Sequence, residues 1–173
     1  MPRRPTILVI DDEPQSRHAL RKFLAKAGYK VVEASTGVGA LERIGTDECD
    51  MIVVDPALRD MDGLDIIRRV RHQSSMPIII LSVRDDEQSK IRAFDLDADD
   101  YVTKPFAEGE LLARIRAALR HRFQAKGESP NFVSGELVVD LVRREVRVSG
   151  RPVAPSPIEY QVLSILVRHA GKY

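Results

Sequence analysis

The sequence has a single cysteine, Cys49, and no long apolar run. One thiol cannot close a disulfide within the chain, which excludes a disulfide-stapled secreted domain and favours packing of Cys49 in a core. The sequence contains neither an N-terminal apolar stretch of signal-peptide length nor an apolar span of about 18 residues. We therefore expect a soluble protein of a reducing cytoplasm, with no membrane partner.

The sequence also lacks an excess of charge of either sign. Its 27 Lys and Arg residues nearly balance 26 Asp and Glu residues, which gives a net charge of +1. This balance excludes an acidic disordered tail or a polyanion coat as the description of the whole chain. A length of 173 residues with 43% hydrophobic residues suits one domain with a small companion. No metal-ligand spacing occurs among the histidines, which we expect at the surface: His18, His72, His121 and His169.

Short β-branched runs alternate along the chain with segments of helical period. Four of the runs are almost continuously apolar, as strands covered by helices on both faces are. The predicted strands span residues 6–10, 30–33, 51–54, 77–81 and a weaker run near 101–102. The predicted helices span residues 14–27, 38–44, 64–72, 87–94 and 108–120. This order predicts an α/β fold with a doubly wound, five-stranded parallel sheet over residues 1–121.

Polar residues stand where four of the predicted strands end. Asp11 and Asp12 follow the first strand, Asp55 the third, Ser82 the fourth and Lys104 the fifth. The carboxyl ends of parallel strands share one edge of such a sheet, and binding sites form there. We therefore expect these side chains to meet at that edge.

Three carboxylates that meet would repel one another unless a cation neutralises them. An oxygen-rich set without His or Cys favours Mg²⁺ over zinc. A carboxylate oxygen beside that ion is able to attack a phosphoryl group, while Lys104 neutralises the phosphoryl oxygens and Ser82 contacts one of them. The product would be an aspartyl phosphate. Acidic pairs also begin helices, and Asp-Pro and Lys-Pro form turns, but coincidence at four strand ends favours a site.

These motifs resemble the receiver domain of bacterial two-component response regulators over roughly residues 5–121. The similarity lies in ILVIDDEP at 7–14, MIVVD at 51–55, DMDG at 60–63, PIIILS at 77–82 and ADDYVTKPF at 98–106. The resemblance implies that Asp55 accepts a phosphoryl group from a sensor histidine kinase. It also implies that Mg²⁺ is held by Asp11, Asp12, Asp55 and the backbone carbonyl of Ala57. The protein would have no enzymatic activity beyond self-phosphorylation from small phosphodonors and autodephosphorylation.

The resemblance also implies a switch. Ser82 is its hydroxyl, Tyr101 its rotating aromatic, and Lys104 the phosphoryl clamp, which a cis peptide bond before Pro105 would turn toward the site. Phosphorylation would draw in Ser82 and let Tyr101 turn inward.

The same resemblance implies a homodimer through the fourth helix, the fifth strand and the fifth helix. Its members would pair across a two-fold axis, Lys90 with Glu110 and Asp100 with Arg114. Such exposed pairs select the partner and the register more than they supply affinity.

Three residues depart from the usual pattern of the family. Pro56 replaces a branched residue after the acceptor, and Arg59 replaces a proline four positions after it. Pro56 fixes its own φ and removes a backbone donor beside the nucleophile. Asp97 replaces a glycine, so we expect a strained, glycine-favoured backbone there.

Residues 122–130 are polar and predict a linker, and residues 131–173 predict a small α+β segment. Its expected strands are 136–140, 142–148 and one at Val153, followed by a capping box at Ser156 and Glu159. The helix after it carries an apolar face that would need a partner, formed by Ile158, Val162, Ile165 and Leu166. Four arginines on the strands are expected to form a solvated face: Arg143, Arg144, Arg147 and Arg151.

This segment resembles the opening of the winged-helix DNA-binding domain of OmpR/PhoB-type regulators. The recognition helix and the wing do not occur in the sequence, so DNA is a doubtful partner for this chain. Two outputs stay open: control of transcription, or action through protein contacts alone, as a phosphate sink or dimer partner. A phosphohydrolase is disfavoured because Ala57 stands where its second Asp would be.

Overall fold

The apolar runs form the parallel sheet that the sequence predicts. The structure, a computed structural model, describes residues 4–46, 49–125 and 131–170. Its first five strands are β1 Thr6–Ile10, β2 Lys30–Ala34, β3 Met51–Val54, β4 Ile78–Ser82 and β5 Asp100–Thr103. They pair in parallel in the order β2-β1-β3-β4-β5. Every residue of β1, β3 and β4 is buried, because helices cover both faces.

Five helices connect and follow these strands: α1 Pro14–Lys26, α2 Gly37–Thr46, α3 Gly63–Arg71, α4 Glu87–Asp95 and α5 Glu108–Ala125. The side chains of Asp62 and Asp86 cap α3 and α4 by accepting from the backbone amides of Leu64 and Ser89. The doubly wound α/β fold is confirmed. Residues 122–125, predicted as linker, instead continue α5, because no Gly or Pro interrupts them.

The described residues divide into two compact units, Arg4–Leu119 and residues 120–170. The second unit contains an antiparallel sheet of β6 Asn131–Ser134, β7 Leu137–Asp140, β8 Glu145–Val148 and β9 Arg151–Val153, followed by α6 Pro157–His169. The capping box at the start of α6 is confirmed: Ser156 and Glu159 bond reciprocally to each other's backbone amides. The strand β6 was not predicted from the sequence.

Two expectations for the second unit are wrong. The predicted strand 142–148 begins only at Glu145, because residues 141–144 form a turn in which Arg144 has a φ of 58°. Arg144 also does not join a solvated arginine face: its guanidinium lies 4.7 Å from the centroid of the Tyr160 ring. None of the helices in the described part of the chain combines the length and the apolar composition of a membrane span.

Candidate phosphoacceptor site

Asp55 follows β3 directly and is held at the edge of the sheet. Its backbone amide donates to Ile10, and its Oδ1 accepts from the amide of Ala57 at 2.9 Å. Its Oδ2 accepts from Lys104 Nζ at 2.8 Å. The side chain keeps 15% of its surface exposed, so the carboxylate is fixed in direction but open on one side.

Lys104 follows β5 and reaches two carboxylates. Its amide donates to the carbonyl of Ser82, and the Lys104–Pro105 peptide bond is cis. Its Nζ lies 2.8 Å from Asp55 Oδ2 and 3.2 Å from Asp11 Oδ2. Burial works to lower the pKa of Lys104, but the hydrogen bonds and charges of Asp55 and Asp11 outweigh it and hold that pKa above its ordinary value of 10.5.

Asp11 is the most enclosed acidic group at this edge, with 3% of its side chain exposed. Its Oδ1 accepts from the amide of Glu13, and its Oδ2 accepts from Ser16 Oγ at 2.5 Å as well as from Lys104. A buried carboxylate needs such partners, because desolvation strongly disfavours an unpaired charge. The N-cap residue of α1 is Glu13, which makes no side-chain cap bond, so capping does not explain the acidic run.

Asp12, the third carboxylate of the predicted set, pairs with an arginine. Its Oδ2 lies 3.2 Å from Nε of Arg59, whose side chain is 90% exposed. Across residues 4–46, 49–125 and 131–170, no three His, Cys, Asp or Glu side chains form a cluster that could hold a metal ion. Asp11 and Asp55 thus share Lys104, while Asp12 pairs with Arg59. That Asp11, Asp12, Asp55 and the carbonyl of Ala57 together hold Mg²⁺ stays a prediction. Their hard oxygen donors still suit Mg²⁺ by chemistry.

Ser82 and Tyr101 contact the same loop after β4. Ser82 Oγ accepts from the amide of Arg84 at 3.1 Å, and the Tyr101 hydroxyl donates to the carbonyl of Arg84 at 2.7 Å. Both side chains are buried. They line a cavity of about 210 Å³ together with Ala57 of the loop between β3 and α3, residues 55–62, which we call the acceptor loop. Ser82 and Tyr101 are therefore linked through the backbone of Arg84.

Known proteins are similar to this chain over most of its length. Residues 7–116 match the family of response regulator receiver domains. The chain belongs to the two-component response regulators. This response regulator is 43% identical over 167 residues to the transcriptional regulatory protein KdpE of Mycobacterium tuberculosis (strain CDC 1551 / Oshkosh), covering 96% of this chain and 74% of KdpE.

Two solved structures agree with that assignment. The receiver domain of Francisella response regulator 1452 has a TM-score of 0.65 and 32% identity, covering 68% of this chain and 98% of that domain. Response regulator DrrB, an OmpR/PhoB homologue of Thermotoga maritima, has a TM-score of 0.59 and 27% identity, covering 98% of this chain and 75% of DrrB. The receiver fold is thus confirmed, and the regulator is related to OmpR/PhoB-type transcription regulators. Its receiver is a phosphoacceptor domain, and the roles of individual residues stay predictions.

The predicted dimer face of the receiver carries ion pairs within the single chain. Arg114 pairs with Asp100 at 2.8 Å and with Glu110 at 2.9 Å. Lys90 pairs with Asp85 at 2.5 Å, and Thr103 donates to the same carboxylate. Asp85 was missed by the sequence reasoning, although its position just before α4 is a usual place for an acidic residue.

The acceptor loop depends on a close approach that only glycine permits. Gly63 donates to the carbonyl of Pro56 at 3.0 Å, and a Cβ on Gly63 would lie 2.5 Å from Pro56 Cα. The loop that begins at Pro56 and the first turn of α3 are thus in direct backbone contact. The DMDG motif contains this glycine, but its spacing alone does not reveal the contact.

Asp97 occupies the glycine-favoured conformation that the sequence predicts, with a φ of 62°. Its carbonyl accepts from Nε and Nη2 of Arg71 at 2.9 and 2.8 Å. The same guanidinium pairs with Asp99, so α3 holds the loop before β5 through one side chain.

Three further site contacts were missed by the sequence reasoning: Ser16 and Arg17 on Asp11, and Arg59 on Asp12.

Proposed function

We propose that Asp55 accepts a phosphoryl group from a sensor histidine kinase in a Mg²⁺-dependent reaction. The observation that supports this role is the placement of its two oxygens. One is oriented by the amide of Ala57, and the other lies beside the ammonium of Lys104. Transfer of this kind needs alignment and charge stabilisation above all, and both are built into the site.

In the reaction, an oxygen of Asp55 forms a bond to phosphorus while the bond from phosphorus to the donor imidazole breaks, and the imidazole leaves with the bonding electrons. Lys104 faces the incoming phosphoryl oxygens with a positive charge that Asp11 helps to maintain. Asp11, Asp12 and Asp55, with the carbonyl of Ala57, would hold Mg²⁺, which supplies further neutralisation of the phosphoryl charge. Ser82 would bind one phosphoryl oxygen.

Acetyl phosphate tests this proposal without a kinase. We expect the protein to gain one phosphoryl group in intact-mass spectra when acetyl phosphate and Mg²⁺ are both present, and Asp55→Asn to abolish the gain. The control is Asp65→Asn, an exposed carboxylate on α3 that pairs with Arg68. A mass gain that survives Asp55→Asn assigns the phosphoryl group to another residue.

We further propose that phosphorylation switches the face formed by α4, β5 and α5 from pairs within one chain to pairs across a two-fold axis. Arg114 would contact Asp100 of the second copy, and Lys90 would contact Glu110. The pairs are exposed and contribute about 0–1 kcal/mol each, so they set register. We expect Arg114→Ala to weaken the phosphorylated dimer in sedimentation velocity, with Arg116→Ala as control. Equal dimerisation of both variants contradicts this arrangement.

The output we propose is control of transcription, because the relatives are transcriptional regulators by name. Selection from a pool of random-sequence DNA duplexes, repeated at two salt concentrations, tests it. Enrichment of one sequence supports transcriptional output. Binding without preference favours the alternative, in which the receiver acts through protein contacts alone or as a phosphate sink.

A further inference from the structure

Arg59 places a positive charge beside Asp12, a carboxylate of the proposed Mg²⁺ site. It lies in the loop after the phosphoacceptor, and its Nε is 3.2 Å from Asp12 Oδ2. The other two carboxylates of the site share Lys104, so each acidic group at this edge has a cationic side chain. Asp12 is the most exposed of the three carboxylates, at 22%, compared with 15% for Asp55 and 3% for Asp11.

The loop that carries Arg59 is fastened on both sides of it. On one side, Ala57 donates to Asp55 and forms a backbone bridge with Asp62. On the other side, Asp60 accepts from the amides of Gly37 and Val38 at 2.9 and 3.0 Å, which fixes the loop to the start of α2. The backbone on both sides of Arg59 is therefore held in place, which keeps the start of its side chain close to Asp12.

We propose that Arg59 is a positioning residue that weakens Mg²⁺ binding by holding Asp12. This inference rests on the proposed function. A cation that takes the Asp12 oxygen must displace the guanidinium or bind beside it, and either event is unfavourable because like charges repel. The guanidinium is exposed and screened by water, so the effect is modest and depends on salt.

Calorimetric titration of the full chain with MgCl₂ tests the inference without measuring phosphorylation. We expect Arg59→Gln to bind Mg²⁺ about two- to fivefold more tightly than the unaltered protein, the range expected for loss of one exposed ion pair. The matched control is Arg68→Gln, which removes the same charge from an exposed pair with Asp65 and leaves Asp12 alone. It should bind Mg²⁺ as the unaltered protein does.

Two further measurements separate the specific contact from a general loss of charge. In an Asp12→Asn background, Arg59→Gln should no longer tighten Mg²⁺ binding, because its partner is gone. The difference between Arg59→Gln and the unaltered protein should also shrink at about 0.5 M salt. A tightening that persists undiminished in the Asp12→Asn background overturns the inference.

The failures of the two proposals are distinguishable. If the unaltered protein and Arg59→Gln bind Mg²⁺ equally, or Arg59→Gln binds it more weakly, the role of Arg59 is wrong while the phosphorylation site stands. If none of the proteins takes up Mg²⁺ at millimolar concentration while their far-ultraviolet circular dichroism shows them folded, the proposed function fails and the role of Arg59 fails with it.

Discussion

The two units of this regulator bury their apolar residues to different extents. In the receiver, three whole strands are buried, and the polar residues of the site stand only where strands end. In the second unit, the four strands are short, and the buried cluster is small: Val139, Leu141, Val146, Tyr160 and Val167. Both units leave some large apolar side chains exposed, but the receiver has a large core of fully buried strands, whereas the second unit has only this small cluster.

Helix α6 shows the difference most clearly. One of its faces packs on the small sheet through Tyr160, Leu163 and Val167. Another face stays exposed through Ile158, Val162 and Leu166, with Ile158 at 74%. The sequence predicts that this second face needs a partner, and its exposure agrees with that prediction. Apolar residues at helical spacing therefore stabilise a fold only where a neighbouring element covers them.

The largest effect should come from truncating matched isoleucines in the two units. Ile52→Ala, in the fully buried β3, should lower the free energy of unfolding by about 2–5 kcal/mol, because it removes buried methylenes and leaves a cavity. Ile158→Ala, on the exposed face of α6, should change it by less than about 0.5 kcal/mol. Urea denaturation followed by circular dichroism measures both. Equal losses mean that a partner covers Ile158 in solution, and the contrast between the units disappears.

The sequence predicted those features that depend on short-range pattern. Continuous apolar runs located four strands, and the carboxyl-end rule placed Asp55 and Lys104 at one edge. The contact of Arg59 with Asp12 was not predictable, because periodicity does not specify where a long exposed side chain points. The turn at 141–144 was missed because Val142 reads as strand, although Arg144 takes a left-handed φ. The end of α5 was missed because residues 110–126 contain no Gly or Pro that would mark it.

A second comparison tests the backbone contact beneath the phosphoacceptor. Gly63→Ala should destabilise the receiver by about 1–3 kcal/mol, because the new Cβ would overlap Pro56 Cα and force a backbone shift. Gly109→Ala, in the first turn of α5, meets nothing within 4 Å and should be neutral or slightly stabilising. Thermal unfolding measures the stability of the two variants, and incubation with acetyl phosphate measures whether each is still phosphorylated. If Gly63→Ala is as stable as Gly109→Ala, the close approach does not constrain the loop.

The capping box tests how much local structure supports the second unit. Ser156→Ala removes the acceptor for the amide of Glu159 and should destabilise α6 by about 0.5–2 kcal/mol. Because few buried contacts support α6, we expect the loss to appear as faster amide exchange within α6, with the receiver unchanged. Ser134→Ala, on the exposed end of β6, is the control. If amide exchange within α6 is no faster in Ser156→Ala than in Ser134→Ala, packing and not the cap fixes the start of the helix.

The smallest effect concerns pH, and it compares one exposed carboxylate from each unit. Hydrogen bonds from the amides of Gly37 and Val38 lower the pKa of Asp60 below 3.8, and the amide of Ser156 lowers the pKa of Glu159 below 4.5. A lowered folded-state pKa contributes stability that is present above the unfolded-state value and is lost as pH falls through the folded-state value.

Amide shifts of Gly37 and Ser156, followed by nuclear magnetic resonance between about pH 5 and pH 2, should report both titrations. Asp60→Asn should remove the first and leave the second. Because Asp60 joins the acceptor loop to α2 while Glu159 acts only within α6, protonation of Asp60 should also shift amides of the acceptor loop, and protonation of Glu159 should stay local. If the amide shift of Gly37 changes with a midpoint at or above pH 3.8, the hydrogen bonds from Gly37 and Val38 to Asp60 do not fix the loop.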